Sequence, residues 1–216
     1  GRPAIRILID RLTPFQRTNL PVCLALSDAF DDREISDITP IGIKRFFGHR
    51  ENVLARFLFA AEEYLFDPII RITHDDVLQD PELIDKMVAF HSEQKAEYTF
   101  ISNCVRGMDC EIVSLDLVRR AWKLYRDRPI EHLSYAFRTP ALNASIKEFL
   151  PPSGYSSKTR MSLDYPEDIS ALRLLFRLVP PTATGPEIVQ ILKKYPEILE
   201  LNRLQKVTVY TCAYNA

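Results

Sequence analysis

Acidic residues follow three of the apolar, strand-like runs of this sequence. They are Asp28 after residues 21–26, the pair Asp75 and Asp76 after residues 68–73, and Asp164 after residues 160–163. In open α/β sheets, ligands gather beyond the carboxyl ends of the strands, so we expect carboxylates in these positions to converge. Converging carboxylates suit magnesium, which prefers oxygen ligands and bridges to substrate phosphates. The pattern therefore favours chemistry on a phosphate group, where a cation offsets developing negative charge.

Capping of a helix or turn is the alternative role for each acid in the sequence. We expect capping for Asp28, Asp80 and Asp168. The case is simplest for Asp80, because a proline and then a glutamate follow it, as at a typical helix start. For Asp75 and Asp164, the motifs described below favour a functional role.

Apolar, β-branched runs alternate with runs of helical period along the chain. This alternation is typical of βαβ units, with helices on both faces of a sheet. Strands are predicted at residues 21–26, 41–47, 68–73, 98–101, 110–113, 146–149 and 160–163. Helices are predicted at residues 53–65, 80–88, 114–125, 130–137, 169–176 and 187–195. The expected fold class is α/β, a three-layer Rossmann-like domain with a mainly parallel sheet.

Length and composition suit a single domain with a small extension. The chain has 216 residues, of which 46% are hydrophobic and 26% charged, and it can bury a sizeable core. Residues 180–186 form the clear linker, because they are rich in proline. We therefore predict a domain at residues 1–179 and a C-terminal helical extension at residues 180–216.

Charge and cysteine content narrow the class of partner. The formal net charge of −1 argues against nucleic acid and anionic membranes as partners. No apolar run approaches the roughly 18 residues of a membrane span, and no secretory signal is recognisable. Cys23, Cys104, Cys110 and Cys212 include no CxxC pair. We expect free thiols in a reducing cytoplasm, with neither a disulfide framework nor a zinc site.

Five short motifs occur in order along the chain. They are GHRENVLAR at residues 48–56, RITHD at 71–75 with DPELID at 80–85, GMDCE at 107–111, SLDYPED at 162–168, and a tail with YPEI at 195–198, Asn202 and Gln205-Lys206. They resemble the GxxxNVLxR, RITxDxPxxDPELID, GxDxE, TLDTPED and PEL…N…QK stretches of cytidylyltransferases related to spore-coat polysaccharide biosynthesis. The acylneuraminate and 3-deoxy-manno-octulosonate enzymes are more distant relatives of this group. The resemblance covers most of the chain, from Gly1 to Lys206.

The resemblance implies a nucleotidyltransferase that moves CMP from CTP to an acidic sugar or related metabolite and releases pyrophosphate. Asp75 and Asp164 correspond to the catalytic carboxylates expected to hold Mg²⁺ on the triphosphate. Ser27, Arg56 and Thr73 are expected to contact the nucleotide, Arg56 as a charged fork. A surface arginine on an amphipathic helix is the alternative for Arg56. The relatives also imply a homodimer.

Four further residues are expected near the acceptor. By resemblance, Asp109 and Glu111 face the acceptor or a second metal, and the alternative is a polar sheet face. Glu131 and His132 match an acid–histidine pair that opens a helix near the acceptor pocket. His132 could hold a carboxylate or hydroxyl of the acceptor, and the alternative is a capping histidine.

Departures from the family pattern concern the nucleotide loop and one position in the second motif. In the family, a loop with an arginine-leucine-proline-glycine-lysine segment precedes the sequence that Gly1-Arg2-Pro3 matches. Its lysine and backbone amides would cradle the triphosphate, and we expect that residues have been removed upstream of Gly1. Val77 stands where the family usually has proline.

Two other functions fit parts of the sequence. One is a metal-dependent glycosyltransferase of similar architecture, because His74-Asp75-Asp76 could imitate the Asp-x-Asp motif that holds its metal. The other is a degenerate, non-catalytic relative that binds a nucleotide or a partner. The sequence leaves neuraminate-like sugars, other sugar acids and phosphonates open as acceptors.

Overall fold

A computed structural model describes residues 2–17, 21–126, 128, 130 and 132–201 of the chain. The strands of this part are β1 (Cys23–Ser27), β2 (Lys44–Gly48), β3 (Ile69–Arg71), β4 (Tyr98–Ile101), β5 (Glu111–Val113) and β6 (Ile146–Phe149). The helices are α1 (Ala4–Arg11), α2 (Thr13–Arg17), α3 (Phe30–Asp37), α4 (Val53–Tyr64), α5 (Pro81–Glu93), α6 (Leu115–Tyr125), α7 (Leu133–Arg138), α8 (Pro166–Leu178), α9 (Gly185–Lys194) and α10 (Glu197–Glu200). None of these helices has the length and apolar character needed to cross a bilayer.

The strands form two hydrogen-bonded sheets. β1 and β2 are parallel, with Ser27 opposite Gly48 at their carboxyl ends. The second sheet has the order β3-β5-β4-β6. In it β4 and β6 are parallel, whereas β5 runs antiparallel to both of its neighbours.

Helices cover both faces of the second sheet. Because successive strand residues point to opposite faces, neighbouring residues of one strand belong to different core clusters. Ile69 and Val113 pack with α4, α6 and α7 in one core cluster. Their chain neighbours Ile70 and Ile112 pack with α1, α5, α8, α9 and α10 in the other. The predicted three-layer α/β fold is confirmed. Helices α9 and α10 share this second core with α8, while the predicted division at residue 180 stays a prediction.

The prediction of a strand at residues 160–163 is wrong. In this segment only Arg160 makes a β-bridge, to Arg106 in a loop. The alternation of polar Arg160 and Ser162 with apolar residues imitates a strand, but the partner loop turns at Gly107, whose φ is +109°. Because the loop turns there, a regular ladder cannot continue beyond the bridge.

Helix starts are set by local capping. Asn52 accepts a hydrogen bond from the Ala55 amide at 3.0 Å, and Ser114 accepts one from Leu117 at 3.2 Å. Helix α7 begins at Leu133, three residues after the predicted start at residue 130. Such caps orient the helices that carry the site residues.

Candidate active site

Two loops meet at the edge of the second sheet, and they carry the two predicted catalytic acids. The first follows β3 and contains Asp75, and the second is the segment that ends at Asp164. The Leu163 amide donates a hydrogen bond to the Asp75 carbonyl at 3.0 Å. Since Asp164 is the next residue, this bond brings the two predicted metal ligands into neighbouring positions.

Asp164 is held by a network that the sequence did not predict. Its Oδ2 accepts hydrogen bonds from Arg160 Nη1 at 2.9 Å and from Ser162 Oγ at 2.6 Å. Partial burial alone would raise the pKa of Asp164, but the bonds from Ser162 and Arg160 and the charge of Arg106 outweigh it, and the pKa lies below its ordinary value. Asp164 is therefore a fixed, ionised carboxylate.

Asp168 anchors the other side of Arg160. Its carboxylate is 1% exposed and accepts two hydrogen bonds from the guanidinium, at 2.5 and 2.9 Å. It also accepts the amides of Asp164 and Tyr165, so it caps the start of α8. The predicted capping role of Asp168 is confirmed. Through Arg160, the same cap orients Asp164.

Asp80 is likewise a cap, as predicted. Its carboxylate accepts the Glu82 amide at 2.9 Å at the start of α5. The other oxygen accepts the Gly185 amide at 2.5 Å, so Asp80 ties α5 to α9. The buried Arg11 donates to carbonyls of the same region, including Gln79 at 2.6 Å and Ala183 at 2.7 Å. These bonds fix the far end of the loop that carries Asp75.

Asp76 is buried and stabilises the turn that contains Asp75. Its Oδ2 accepts the Thr73 hydroxyl at 2.6 Å, so the hydroxyl of this predicted nucleotide contact is used within the loop. Burial raises the pKa of Asp76 to about 7, and the nearby charges of Asp109 and Asp75 add to the rise. Asp76 faces the protein interior, whereas the Asp75 carboxylate makes no hydrogen bond or ion pair with any residue that the structure describes.

Gly107 and Asp109 join the two loops. The Gly107 amide donates to Asp109 Oδ1 at 2.8 Å, and the Gly107 carbonyl accepts from Leu78 at 2.9 Å. A Cβ atom at position 107 would lie 2.8 Å from the carbonyl carbon of Met161. Only glycine allows the loop after β4 to approach the segment before Asp164 this closely.

The residues present fit a magnesium ion that is shared with a substrate. Across the described part of the chain, no three His, Cys, Asp or Glu side chains form a ready-made metal cluster. Mg²⁺ usually keeps several waters and binds through one or two carboxylates plus substrate phosphates. Within the described residues the Asp75 side chain makes no hydrogen bond or ion pair, and Asp164 Oδ2 accepts the hydrogen bonds from Arg160 and Ser162. Two carboxylates at this edge match such a site.

Ser27 and Arg56 lie together at the carboxyl ends of β1 and β2. The Ser27 amide donates to Asp32 Oδ2 at 2.5 Å, and its hydroxyl accepts the Ala29 amide at 3.2 Å. Arg56 donates to the His49 carbonyl at 2.8 Å. Burial lowers the pKa of Arg56, and the acids near Ser27 oppose this effect. The two predicted nucleotide contacts thus share one end of a sheet.

Asp109 and Glu111 have different surroundings, although the sequence places them two residues apart. β5 begins at Glu111, so Asp109 lies before the strand, next to Asp76. Glu111 forms an ion pair with Arg71 at 2.9 Å and accepts the Tyr98 hydroxyl at 2.5 Å. Glu111 is therefore held by a cation and a phenol within the sheet.

His132 opens α7 at the mouth of a pocket. It occupies the N-cap position without a side-chain capping bond, and its ring contacts Tyr135 edge-on with centroids 6.2 Å apart. The pocket has a volume of about 340 Å³ and is lined by His132, Ser134, Tyr135 and Arg138. Arg138 lies over the Phe100 ring at 3.9 Å and so connects this pocket to the β4 strand. Glu131 lies outside the described residues.

A second pocket adjoins the acids and is basic. Its volume is about 430 Å³, and its lining residues are Asn103, Cys104, Arg106, Ser157, Lys158, Thr159 and Arg160. Sequence reasoning did not single out these residues. Two signals could have drawn attention to them: Arg106 directly precedes the GMDCE motif, and Arg160 stands four residues before Asp164.

Comparisons with known proteins give both sequence relatives and a fold relative. No protein-family model matches the chain. It is 28% identical over 209 residues to an uncharacterized protein of Methanocaldococcus jannaschii, covering 93% of this chain and 84% of that protein. It is 29% identical over 179 residues to the spore coat polysaccharide biosynthesis protein SpsF of Bacillus subtilis, covering 78% and 75%. Among solved structures it matches a cytidylyltransferase from Leptospira borgpetersenii at TM-score 0.79 and 24% identity, covering 98% of this chain and 89% of that one.

These findings agree with the motifs. One relative acts in spore coat polysaccharide biosynthesis by name, and the solved structure with the matching fold is a cytidylyltransferase. The resemblance to this group that the motifs indicate is therefore confirmed, and the Rossmann-like α/β fold matches that of the solved cytidylyltransferase.

Proposed function

We propose that this chain, whose sequence and fold resemble the cytidylyltransferases, transfers CMP from CTP to an acidic sugar or related metabolite and releases pyrophosphate. The observation that carries the proposal is the hydrogen bond from Leu163 to the Asp75 carbonyl at 3.0 Å. It makes neighbours of two acids that lie far apart in sequence and that match the family's metal-binding motifs. Free thiols at Cys23, Cys104 and Cys110 fit the cytoplasmic location proposed with this activity.

In the proposed reaction an oxygen of the acceptor attacks the α-phosphorus of CTP, in line with the departing pyrophosphate. The P–O bond to the acceptor forms as the bond to pyrophosphate breaks, and the acceptor hydroxyl releases its proton to water. Bound Mg²⁺ would offset the negative charge on the phosphoryl oxygens. Asp75 and Asp164 would hold it, while Arg160 fixes the orientation of Asp164.

Residues outside the metal site have positioning roles in this proposal. Ser27 and Arg56 lie where the nucleotide is proposed to enter, with the Arg56 charge available to phosphate. Thr73 would act on the nucleotide indirectly, because its hydroxyl holds Asp76 in the turn. We also propose a homodimer, as in the relatives that the motifs resemble, and sedimentation equilibrium would test it.

The geometry of Asp76 favours this function over the glycosyltransferase alternative. In an Asp-x-Asp motif two carboxylates face the metal together. Here His74 is exposed and Asp75 is partly exposed. Asp76 is buried and accepts a hydrogen bond from the Thr73 hydroxyl. One carboxylate of this triplet faces outward, which fits a partner acid supplied by Asp164.

Nucleotide choice tests the proposed function. In the presence of Mg²⁺, CTP should raise the melting temperature of the protein, because a ligand that binds only the folded state stabilises it, and more so the tighter it binds. ATP and GTP at the same concentration should do much less. Equal shifts for all three triphosphates would reduce the site to a general phosphate site and contradict the proposal.

A further inference from the structure

We infer that the basic cleft between the loop after β4 and the segment before Asp164 binds the carboxylate of the acceptor. The cleft comprises residues 103–106 and 157–160. This inference rests on the proposed function and adds to it the side chains that recognise the acid: Arg106 and Lys158. The acceptor is then a sugar acid, with its carboxylate in the cleft and its attacking oxygen toward Asp75 and Asp164.

The walls of the cleft are two chain segments held together by backbone bonds. The Arg106 amide donates to the Thr159 carbonyl at 2.9 Å, and the Met161 amide donates to the Arg106 carbonyl at 2.7 Å. Farther out, the Ser157 amide donates to the Asn103 carbonyl at 3.2 Å. The cleft is thus a built feature of the fold, and Gly107 at its inner end permits the close approach of the segments.

A tight turn presents Lys158 at the rim. The Ser157 and Thr159 hydroxyls lie 2.8 Å apart, and the Thr159 amide donates to Ser157 Oγ at 3.2 Å. These bonds close the turn beneath Lys158, whose side chain is exposed. The hydroxyls of Ser157 and Thr159 also supply short polar groups beside an anion bound there.

The cleft carries two cations, Arg106 and Lys158, besides the ion-paired Arg160. Arg160 is engaged by Asp164 and Asp168, as described above. By contrast, no hydrogen bond or ion pair joins the side chain of Arg106 or of Lys158 to another described residue. Burial raises the pKa of Cys104 to about 12, with the charge of Asp109 adding to the rise, so the thiol adds no negative charge. Although Arg106 also acts electrostatically on Asp76 and Asp164, two cations without such a bonded partner in a pocket of about 430 Å³ suit a carboxylate on a sugar-sized ligand.

Charge also argues against binding of the acceptor's carboxylate at Asp109 and Glu111, which the sequence analysis placed near the acceptor. Asp109 and Glu111 are themselves acids, and like charges repel a bound carboxylate. Glu111 is already paired with Arg71 and Tyr98. These two residues can face hydroxyl groups of an acceptor, but the acid group requires cations.

The position of the cleft favours the acceptor over the phosphates of CTP. The cleft follows β4, which lies two strands from β3 in the order β3-β5-β4, or about 10 Å at normal strand spacing. Asp75 follows β3, and the proposed nucleotide contacts Ser27 and Arg56 lie at the ends of β1 and β2. Arg106 still acts electrostatically on Asp76 and Asp164, so the cleft opens beside the metal site.

Calorimetric titration of sugar acids tests the inference. The probes are N-acetylneuraminate and 3-deoxy-manno-octulosonate, each compared with its neutral methyl ester, and pyrophosphate, all with Mg²⁺ and a non-hydrolysable CTP analogue present. At least one sugar acid should bind, and its ester should bind at least tenfold more weakly. The variants Arg106→Gln and Lys158→Gln should each weaken sugar-acid binding about tenfold or more. The control variants Arg173→Gln and Lys123→Gln remove the same charges from exposed positions on α8 and α6 and should leave it unchanged.

Each other outcome overturns the inference. Failure of both sugar acids to bind does so, as does equal binding of acid and ester or equal loss in the control variants. If the Arg106→Gln and Lys158→Gln variants weaken the binding of pyrophosphate but not of the sugar acids, the cleft belongs to the leaving group. In all these cases, a CTP-specific thermal shift in the same protein shows that the proposed function survives. If the unmodified protein shows no CTP-specific thermal shift, the proposed function itself is contradicted.

Discussion

Asp75 and Asp164 should respond differently to the same substitution, although both are proposed to bind one metal ion. Asparagine keeps the shape of aspartate and removes its charge. Asp75→Asn changes a carboxylate that makes no hydrogen bond or ion pair within the described residues. Asp164→Asn changes one that accepts bonds from Arg160 and Ser162. Magnesium binding should therefore suffer in both variants, and stability in only one.

The magnitude follows from the surroundings of Asp164. A hydrogen bond to a charged group contributes about 1.5–3 kcal/mol, whereas an exposed ion pair contributes at most about 1 kcal/mol. The Asp164 side chain is 25% exposed, and Arg160 keeps its pair with Asp168 when Asp164 loses its charge. We expect Asp164→Asn to lower the free energy of unfolding by about 1–2 kcal/mol. For Asp75→Asn we expect a change within about 0.5 kcal/mol.

Urea denaturation and turnover together measure the two effects. Each kcal/mol should appear as a melting-temperature change of about 2–4 °C in a domain of this size. Turnover should fall by roughly a hundredfold or more in each variant, as when a key electrostatic stabiliser is lost. The double variant should be little worse than either single one, because residues that act as a unit are not additive.

Two results would refute this reasoning. Equal destabilisation by both substitutions would mean that Asp75 has a structural partner as Asp164 has. Full activity in either asparagine variant would remove that residue from the metal site. A structure with CTP and magnesium that places either carboxylate beyond coordination distance would have the same consequence.

Two further predictions concern the supports of the site. Burial raises the pKa of Asp168, but bonds from Arg160 and two backbone amides outweigh it and leave the folded-state pKa below the ordinary value of about 4. The stability from this carboxylate should thus be complete above pH 5 or so and be lost as pH falls through the folded-state pKa; urea midpoints between pH 7 and pH 3 should show a shallower fall in Asp168→Asn than in the unmodified protein. Gly107→Ala should cost about 3 kcal/mol or more and reduce turnover, because its φ of +109° and a Cβ 2.8 Å from Met161 both oppose a side chain. The matched control Gly42→Ala, with φ +101° and open space around its Cβ, should cost only about 1 kcal/mol, and equal costs would refute the close-approach argument.

Local patterns predicted the elements whose residues carry their own signal. The strands at residues 98–101 and 146–149 have the predicted bounds, because their aromatic and β-branched residues favour extended backbone. Asp80 and Asp168 cap helices as predicted, since capping depends on residues within one turn. Pairing direction carries no such local signal, and the antiparallel β5 was not foreseen.

The candidate site was only partly predictable for the same reason. Motif order identified Asp75 and Asp164, and the sequence also placed Asp109 and Glu111 together, two residues apart. The fold separates the latter pair, because β5 begins between them and takes Glu111 to Arg71 on a neighbouring strand. Their proposed roles toward an acceptor stay predictions.

The sequence by itself determined the α/β class, most of the strands and helices and the capping roles of Asp80 and Asp168, and it led to the prediction that Asp75 and Asp164 bind a metal ion. All of these depend on residue type and on spacing within about one or two turns or strands. Tertiary structure alone decided that the loop holding Arg106 lies against the segment holding Arg160, and that Leu163 bonds to Asp75. Such contacts join residues far apart in the chain, and their geometry depends on Gly107 and on how the helices pack. The basic cleft exists only because that packing brings the two loops together.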